Sequence, residues 1–475
     1  MDKKKYNYNQ LLSAARMGAG SRAGTRNIEA FYSDRTRILY CSAFRRLQQK
    51  AQVFSMETNS TVRSRLTHSL EVSDLGRKLA NDIAYRLKNK GWLTDTNIPV
   101  VVAIVENACL LHDIGNPPFG HFGESAIQDW AVHKAADTVP EGVEYGGLLE
   151  KLMQDFVEFD GNPQGFRTVS KLFTEFDRHG LDLTCATLLC GLKYARTTGE
   201  PKGKGIMKKA GFFRTEEGLV SEILARVEME PHHRYPLTYI MEAADDIAYC
   251  MSDIADGIEK RILTEEEFVM TFAKKWREKY GGEPYPKEIS TFIKNPEKMH
   301  GFNRDFSIPW STRATREAVQ TYMDRHEEVY AGTADALISD DKPMGKVLKT
   351  ISAVCGQLLY PSIEAESIEL TGYAVITGIL RHYERILKLE YQDFQRILEG
   401  ERKGLAVEQR LFNRIGSRCV DAYKFALEEL KGDAHFAEKE WWLRVHLLID
   451  HISSMTDAYA LETYQMLEGI ALMRT

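Results

Sequence analysis

Apolar residues recur along this chain mainly at the spacing of an α-helix. Leu75, Leu79, Ile83 and Leu87 repeat every four positions, with Val72 on the neighbouring ridge. Phe268, Phe272 and Trp276 do the same behind a Thr264-x-x-Glu267 capping box. Val101, Ile104, Val105, Ala108 and Leu111 describe a helix buried on most sides. Strict apolar/polar alternation, the mark of a half-buried strand, is scarce, so the expected fold class is all-α. Irregular stretches divide the pattern. Residues 17–27 are rich in glycine, 131–165 and 197–218 read as insertions, and 280–310 carries Gly and Pro. The expected organisation is a mobile N-terminal segment over 1–29, a helical core over 30–280 and a C-terminal helical region over 281–475.

Composition narrows the class. The chain has 475 residues, 43% hydrophobic and 27% charged, the balance of a globular protein. A net charge of -6 argues against a polybasic nucleic-acid binder, although it leaves room for a local basic groove. The longest apolar run, near Pro99–Val105, stops at Glu106, far short of the roughly 20 residues that span a bilayer. The opening stretch MDKKKYNYNQ has no apolar h-region, so no secretory signal is expected. The cysteines number 7, with no C-x2-C pair, so neither a thiolate zinc site nor a disulfide framework is expected. Together these features point to the cytoplasm.

The candidate chemistry centres on LLHDIGNPPFGHFGE at 110–124. His112 and Asp113 end the buried helix, and Gly115-Asn116-Pro117-Pro118 turns the chain. A second helix is expected to begin near Gly120, placing His121 and Glu124 on one face. An adjacent imidazole and carboxylate at a helix end suit one metal ion, and two further ligands are available. His68 lies on the inward ridge of Val72, Leu75 and Leu79. In MEAADDIAYCMSDIADGIEKR, Ile247, Met251, Ile254 and Ile258 form an apolar sector, whereas Asp245, Tyr249 and Asp253 share the opposite one. A polar stripe on a core helix suggests a cavity wall.

Each feature has a plainer counterpart. A lone inward histidine is most often a hydrogen-bonded core residue, an HD dipeptide occurs by chance, and an acidic stripe is commonly solvated. His121 and Glu124 also suit a helix first turn, and Tyr249 reads equally as a core aromatic. The order H…HD…D, inside helices and with a Gly-Pro turn after HD, is what favours a metal site. Two basic groups, Lys202, Lys204, Lys208 and Lys209, and Arg35, Arg37, Arg45 and Arg46, read as solvated faces or as phosphate or single-stranded nucleic-acid contacts.

The pattern H…HD…D resembles the HD phosphohydrolase signature. RRLQQKAQVF (45–54), VRSRLTHSLEV (62–72), HDIGNPPFGHFGE (112–124), LKYAR (192–196) and MEAADDIAYCMSDIADGIEKR (241–261) resemble the bacterial dGTPase family specifically. The likeness runs from about residue 30 to the C-terminus, through IELTGY (368–373) and RLFNR (410–414). It implies an HD-domain helical core with an additional C-terminal helical region, which would contribute to the nucleotide pocket and to oligomer contacts. It also implies metal ligation by His68, His112, Asp113 and Asp245, and a catalytic pair, His121 and Glu124, near the α-phosphate. Arg65, Lys193 and Tyr194 match phosphate contacts. Gln52, Tyr249 and Asp253 match the residues around the sugar 3′-hydroxyl that crowd the 2′ position. Glu369, Arg402 and Arg410 correspond to purine contacts, with the last two spaced one residue closer than the family pattern.

The activity so implied is hydrolysis of dGTP to deoxyguanosine and tripolyphosphate by a metal-activated water at the α-phosphorus, serving dNTP pool control. The metal would be Mn²⁺ or Mg²⁺, with Fe²⁺ a further candidate, because imidazole and carboxylate donors suit all three. Implied partners are a second copy of the chain, as in the hexamers of the family, and single-stranded DNA as effector. Three alternatives stay open: a broader dNTPase, another HD phosphohydrolase or nuclease, and a single-stranded-DNA-binding regulator with a vestigial HD site.

Overall fold

The protein is described here from a computed structural model, which covers residues 6–18, 27–173 and 178–470. Its regular structure is helical; the only strands among these residues are Arg196–Thr197 and Ala210–Phe212, paired in parallel. Five helices surround the HD motif: α1 (Asn27–Tyr40), α2 (Arg65–Asn89), α3 (Ile98–Leu111), α4 (Gly120–His133) and α5 (Gly161–Arg167). Four more complete the frame: α6 (Thr238–Glu259), α7 (Ile363–Leu387), α8 (Ser417–Glu429) and α9 (Phe436–Ser453).

Local chemistry sets these boundaries. Ser64 caps α2 reciprocally with Thr67, satisfying amides that the first turn leaves free. The ridge Val72, Leu79, Ile83 and Leu87 is fully buried, and the anticipated Thr264–Glu267 capping box is present. Helix α2 packs along α3 with Gly76 against Cys109; a Cβ on Gly76 would stand 2.5 Å from Cys109 Sγ. Close approach here lets His68 on α2 reach the end of α3.

The turn after α3 is held just as tightly. A Cβ on Gly115 would lie 2.0 Å from the Gly165 amide nitrogen and 2.2 Å from Gly161 O, so only glycine fits. Phe119 takes a left-handed conformation (φ 61°) immediately before α4. Its amide donates to Asp457 Oδ1 at 3.0 Å, and Asp457 Oδ2 accepts from Ala51 N at 3.1 Å. A carboxylate from the C-terminal region thus fixes two segments of the catalytic side.

Two hydrophobic clusters result, and they do not divide at residue 280. One holds most of residues 8–114 and 166–359; the other joins 119–159 to 375–460. The Gly/Pro-bearing stretch 280–310 lies within the first, because Met299, Phe302 and Phe306 are buried there. The expectation of a mobile segment over 1–29 also needs correction. Residues 6–18 are docked: Tyr8 and Leu12 are buried, Tyr8 Oη meets Tyr322 Oη at 2.9 Å, and Arg16 pairs with Asp34 at 2.7 Å. Residues 19–26 of the glycine-rich stretch lie outside the described residues. All 7 cysteines are buried free thiols, and no described helix is long and apolar enough to cross a membrane.

Candidate metal centre and nucleotide cavity

Helices α2, α3 and α6 converge on one point. His68, His112 and Asp245 each offer a ligand atom, all within 4.8 Å of one another. His68 Nε2 lies 3.5 Å, and His112 Nε2 3.6 Å, from Asp245 Oδ1. His112 Nδ1 is 2.7 Å from Cys109 O; the carbonyl can only accept, so the proton sits on Nδ1 and leaves the Nε2 lone pair facing the cluster. His112 Nε2 and both ring nitrogens of His68 are buried with no hydrogen-bond partner. Buried polar atoms are seldom left so. Two orphaned imidazoles beside a carboxylate fit a divalent cation.

Asp113, the remaining expected ligand, is placed differently. Its Oδ2 is 3.6 Å from His112 Nε2 but pairs with Arg65 at 3.0 Å, while Asn116 Nδ2 donates to its Oδ1 at 2.6 Å. Lys193 Nζ reaches Asp245 Oδ2 at 3.2 Å. Burial works against ionisation of Asp245, but Lys193 and the two histidines outweigh it and hold the carboxyl well below the usual carboxylate range.

His112, Asp113, Lys193 and Asp245 line a cavity of about 630 Å³, within the range of small-molecule sites, and His68 is buried beside them. Gln52, Arg65, His112, Asp113, His121, Glu124, Lys193, Tyr194, Asp245, Tyr249 and Glu369 all reach its wall. His121 Nδ1 meets Glu124 Oε2 at 2.7 Å, and Glu124 Oε1 accepts the Gly161 amide at 2.8 Å. This hydrogen bond raises the His121 pKa and leaves Nε2 open to the cavity.

Three expected contacts fall elsewhere. Asp253 stands behind the wall: Tyr360 Oη donates to its Oδ2 at 2.8 Å, and it is Tyr360 that faces the cavity. Burial pushes the Asp253 carboxyl up to about 7. Arg402 and Arg410 do not line this cavity, so its wall lends no support to the purine role expected for them. Arg402 is exposed in the loop before Ala406–Phe412; in that helix Leu411 and Phe412 turn inward, which sends Arg410 to solvent, bonded to Ala406 O.

Other wall residues were not singled out as site members, including Asn116, Asp160, Asn162 and Tyr360. Asn116 was visible inside the HD motif, and Asp160 and Asn162 lie in the stretch 131–165 read as an insertion. The basic groups also separate. Lys209 joins the cavity wall and pairs with Asp160 at 2.5 Å, whereas Arg35 and Arg37 pair with Glu106 (3.8 Å) and Asp182 (3.7 Å).

Comparison with known proteins agrees with this arrangement. The family model described as "HD domain" matches residues 65–158. Proteins named deoxyguanosinetriphosphate triphosphohydrolase are similar over nearly the whole chain. The one from Serratia proteamaculans is 36% identical, covering 93% of this chain and 94% of its own. That from Enterobacter sp. is 34% identical, covering 95% and 96%. That from Salmonella typhimurium is 35% identical, covering 93% and 94%.

Proposed function

The chain belongs to the deoxyguanosinetriphosphate triphosphohydrolase family of HD-domain hydrolases, and from that premise we propose that it hydrolyses dGTP to deoxyguanosine and tripolyphosphate. The observation that carries the reading is the juxtaposition, at the wall of one cavity, of His112 and Asp245, with the buried His68 beside them, and the His121–Glu124 dyad.

His68, His112 and Asp245, with Asp113 beside them, would hold a divalent cation. Bound there, such an ion polarises a phosphoryl oxygen and lowers the pKa of a water molecule. Nitrogen and oxygen donors without thiolate favour Mn²⁺, Mg²⁺ or Fe²⁺ over a zinc site of the cysteine type. Arg65, Lys193 and Lys209 bring positive charge to the triphosphate, and Tyr194 walls it. As water attacks the α-phosphorus, the bond to the nucleoside 5′-oxygen breaks. His121, protonated and oriented by Glu124, delivers its Nε2 proton to that oxygen.

Sugar selection rests on Tyr249, which occupies the wall one turn after Asp245 and crowds the space a 2′-hydroxyl needs. Gln52 offers Oε1, buried and unpartnered, to the 3′-hydroxyl. Glu369 remains the candidate purine contact. Self-association and single-stranded DNA as an effector follow from the family resemblance alone.

The deciding experiment incubates the protein with each dNTP and with GTP, under Mn²⁺ or Mg²⁺, and resolves phosphate products by ion exchange. Tripolyphosphate from dGTP in clear preference is expected. Tripolyphosphate from all four dNTPs would remove the base preference, and none under any metal would overturn the enzyme reading.

A further inference from the structure

The His121–Glu124 helix and the Gln52 segment are held by one residue that does not touch the cavity. Asp457 opens α10 (Asp457–Leu467), behind the Thr456 cap, and is 2% exposed. An acid in a first turn is ordinarily favoured there by the helix dipole and faces solvent. Asp457 instead turns both oxygens away from its own helix: Oδ1 accepts the Phe119 amide at 3.0 Å, and Oδ2 the Ala51 amide at 3.1 Å. No residue of α10 lines the cavity. Asp457 lies 338 positions from Phe119 and 406 from Ala51, so only the fold brings the three together.

Each bond ends one or two residues from a group that the chemistry uses. Phe119 is the N-cap of α4, with no side-chain cap, and His121 follows it in the first turn. Its φ of 61° lies in the left-handed region, which a residue with a large side chain adopts only where its surroundings dictate it. Two of those surroundings are steric. A Cβ on Gly372 of α7 would stand 2.4 Å from Phe119 Cβ, and a Cβ on Gly123 would stand 2.1 Å from Pro118 O. The bond to Asp457 is directional, so it sets the orientation of the peptide from which α4 starts.

On the other side, Ala51 precedes Gln52, whose Oε1 is buried and unpartnered in the cavity wall. Ala51 bridges Ser64 in antiparallel fashion, and Lys50 O accepts the Arg65 amide at 2.9 Å. Asp457 holds this stretch from the opposite side. Lys50 Nζ joins the same regions a second time, donating to Asn116 O at 2.6 Å and Ser453 O at 2.7 Å.

We infer that Asp457 is a positioning residue for hydrolysis of the nucleotide, acting through Phe119 on His121 and through Ala51 on Gln52. A buried carboxylate that accepts two backbone amides is a clamp, because neither partner can turn away without leaving buried polar groups unpaired. Proton delivery to the leaving oxygen tolerates little error; a misplacement of about 1 Å can cost about 10²-fold in rate. The catalytic part rests on the triphosphohydrolase reading, whereas the clamp does not.

The test uses the full chain with Mn²⁺ and dGTP, in a double-mutant cycle with His121. Asp457→Ala removes both acceptors. It should lower kcat by about 10- to 100-fold when His121 is present, but by less than about threefold in His121→Ala, where no acid remains to be aimed. KM for dGTP should rise by about 3- to 10-fold in both backgrounds, the scale of one hydrogen bond. Equal falls in kcat in the two backgrounds would overturn action through His121, and an unchanged KM would overturn action through Gln52. Asp457→Asn keeps the shape and one acceptor, and it tests the same point if the alanine variant does not fold. Wild-type kcat and KM in Asp457→Asn would overturn the proposal. Hydrogen exchange without nucleotide reads the clamp itself. In Asp457→Ala, peptides over 116–124 and 50–54 should exchange faster, and in Asp457→Asn at least one of them, while α9 keeps its wild-type rate. Unchanged exchange in both segments, or faster exchange across α9 as well, would overturn the clamp. A wild type that releases no tripolyphosphate would remove the enzyme reading and leave the exchange result to decide the clamp.

Discussion

His121 Nδ1 stands 2.7 Å from Glu124 Oε2 on the first turn of α4, and the opposite oxygen of that carboxylate is held by the Gly161 amide at 2.8 Å. The carboxylate is thus fixed from behind and the imidazole from one side, leaving Nε2 to serve the leaving oxygen. His121→Ala is expected to lower kcat for dGTP by about 10²–10⁴, the usual contribution of a positioned general acid. Glu124→Gln tests the coupling separately. The glutamate raises the His121 pKa, so its charge keeps the acid form present to higher pH. With that charge removed, the alkaline fall in kcat should move to lower pH. A kcat profile at saturating dGTP checks this, and an unmoved limb would remove His121 as the acid.

Sugar discrimination gives a second prediction. Tyr249 lines the cavity between Asp245 and Asp253, with its ring 6.3 Å from that of His68. Tyr249→Ala should raise kcat/KM for GTP relative to dGTP by roughly 10- to 100-fold, the scale on which one small group in a pocket discriminates. Tyr360→Phe should act on affinity, since it leaves the buried Asp253 carboxyl without its 2.8 Å donor beside the sugar space. Its expected signature is a higher KM for dGTP with kcat nearly unchanged, measured by initial rates.

Much of this site was legible because its residues sit on regular helices or at their ends. The helical spacing of His68 with Val72 (i+4) and of Val72 with Leu79 (i+7) puts His68 inside, and the stripe on α6 puts Asp245 and Tyr249 on one wall. The same periodicity placed Asp253 on the stripe, but not behind Tyr360, because Tyr360 comes from a loop with no repeating pattern. Arg402 and Arg410 lie off the cavity wall for a related reason: resemblance supplies a residue type, whereas the inward face of Ala406–Phe412 is decided by Leu411 and Phe412. The boundary at 280 failed because Gly and Pro mark turns, not the limits of a hydrophobic cluster. Phe302 and Phe306 pack back onto Phe268 at 5.0 and 5.3 Å, across that boundary.

The metal cluster predicts a linkage between ion binding and stability. Two imidazoles buried without hydrogen-bond partners cost free energy when no cation joins them. An ion at 100 times its Kd should therefore stabilise the fold by about 2.7 kcal/mol. Mn²⁺ should raise the thermal midpoint of the wild type by several degrees, and chelation should reverse the rise together with activity. Asp245→Asn should fold, lose the Mn²⁺ response and lose turnover. A full Mn²⁺ shift in that variant would place the ion elsewhere.

Acid sensitivity should come in part from His451, buried at the end of α9 with Nε2 3.4 Å from Tyr383 Oη. Burial first, and then the nearby Arg46 charge, push its pKa from 6.5 down to about 4. In the unfolded chain the ring takes up a proton below about 6.5, whereas in the folded chain it resists until about 4. Between these values the unfolded state binds more protons, so stability is intact above pH 6.5 and falls as the pH drops towards 4. At 1.36 kcal/mol per unit, the ceiling for this one group is about 3 kcal/mol. His446 and His326 are lowered by burial as well and act in the same direction. His451→Gln keeps a polar partner for Tyr383 but cannot titrate. Urea midpoints at pH 7.5 and pH 5 should therefore differ less in the variant than in the wild type. An equal difference would mean that His451 is already protonated in the folded state at pH 5.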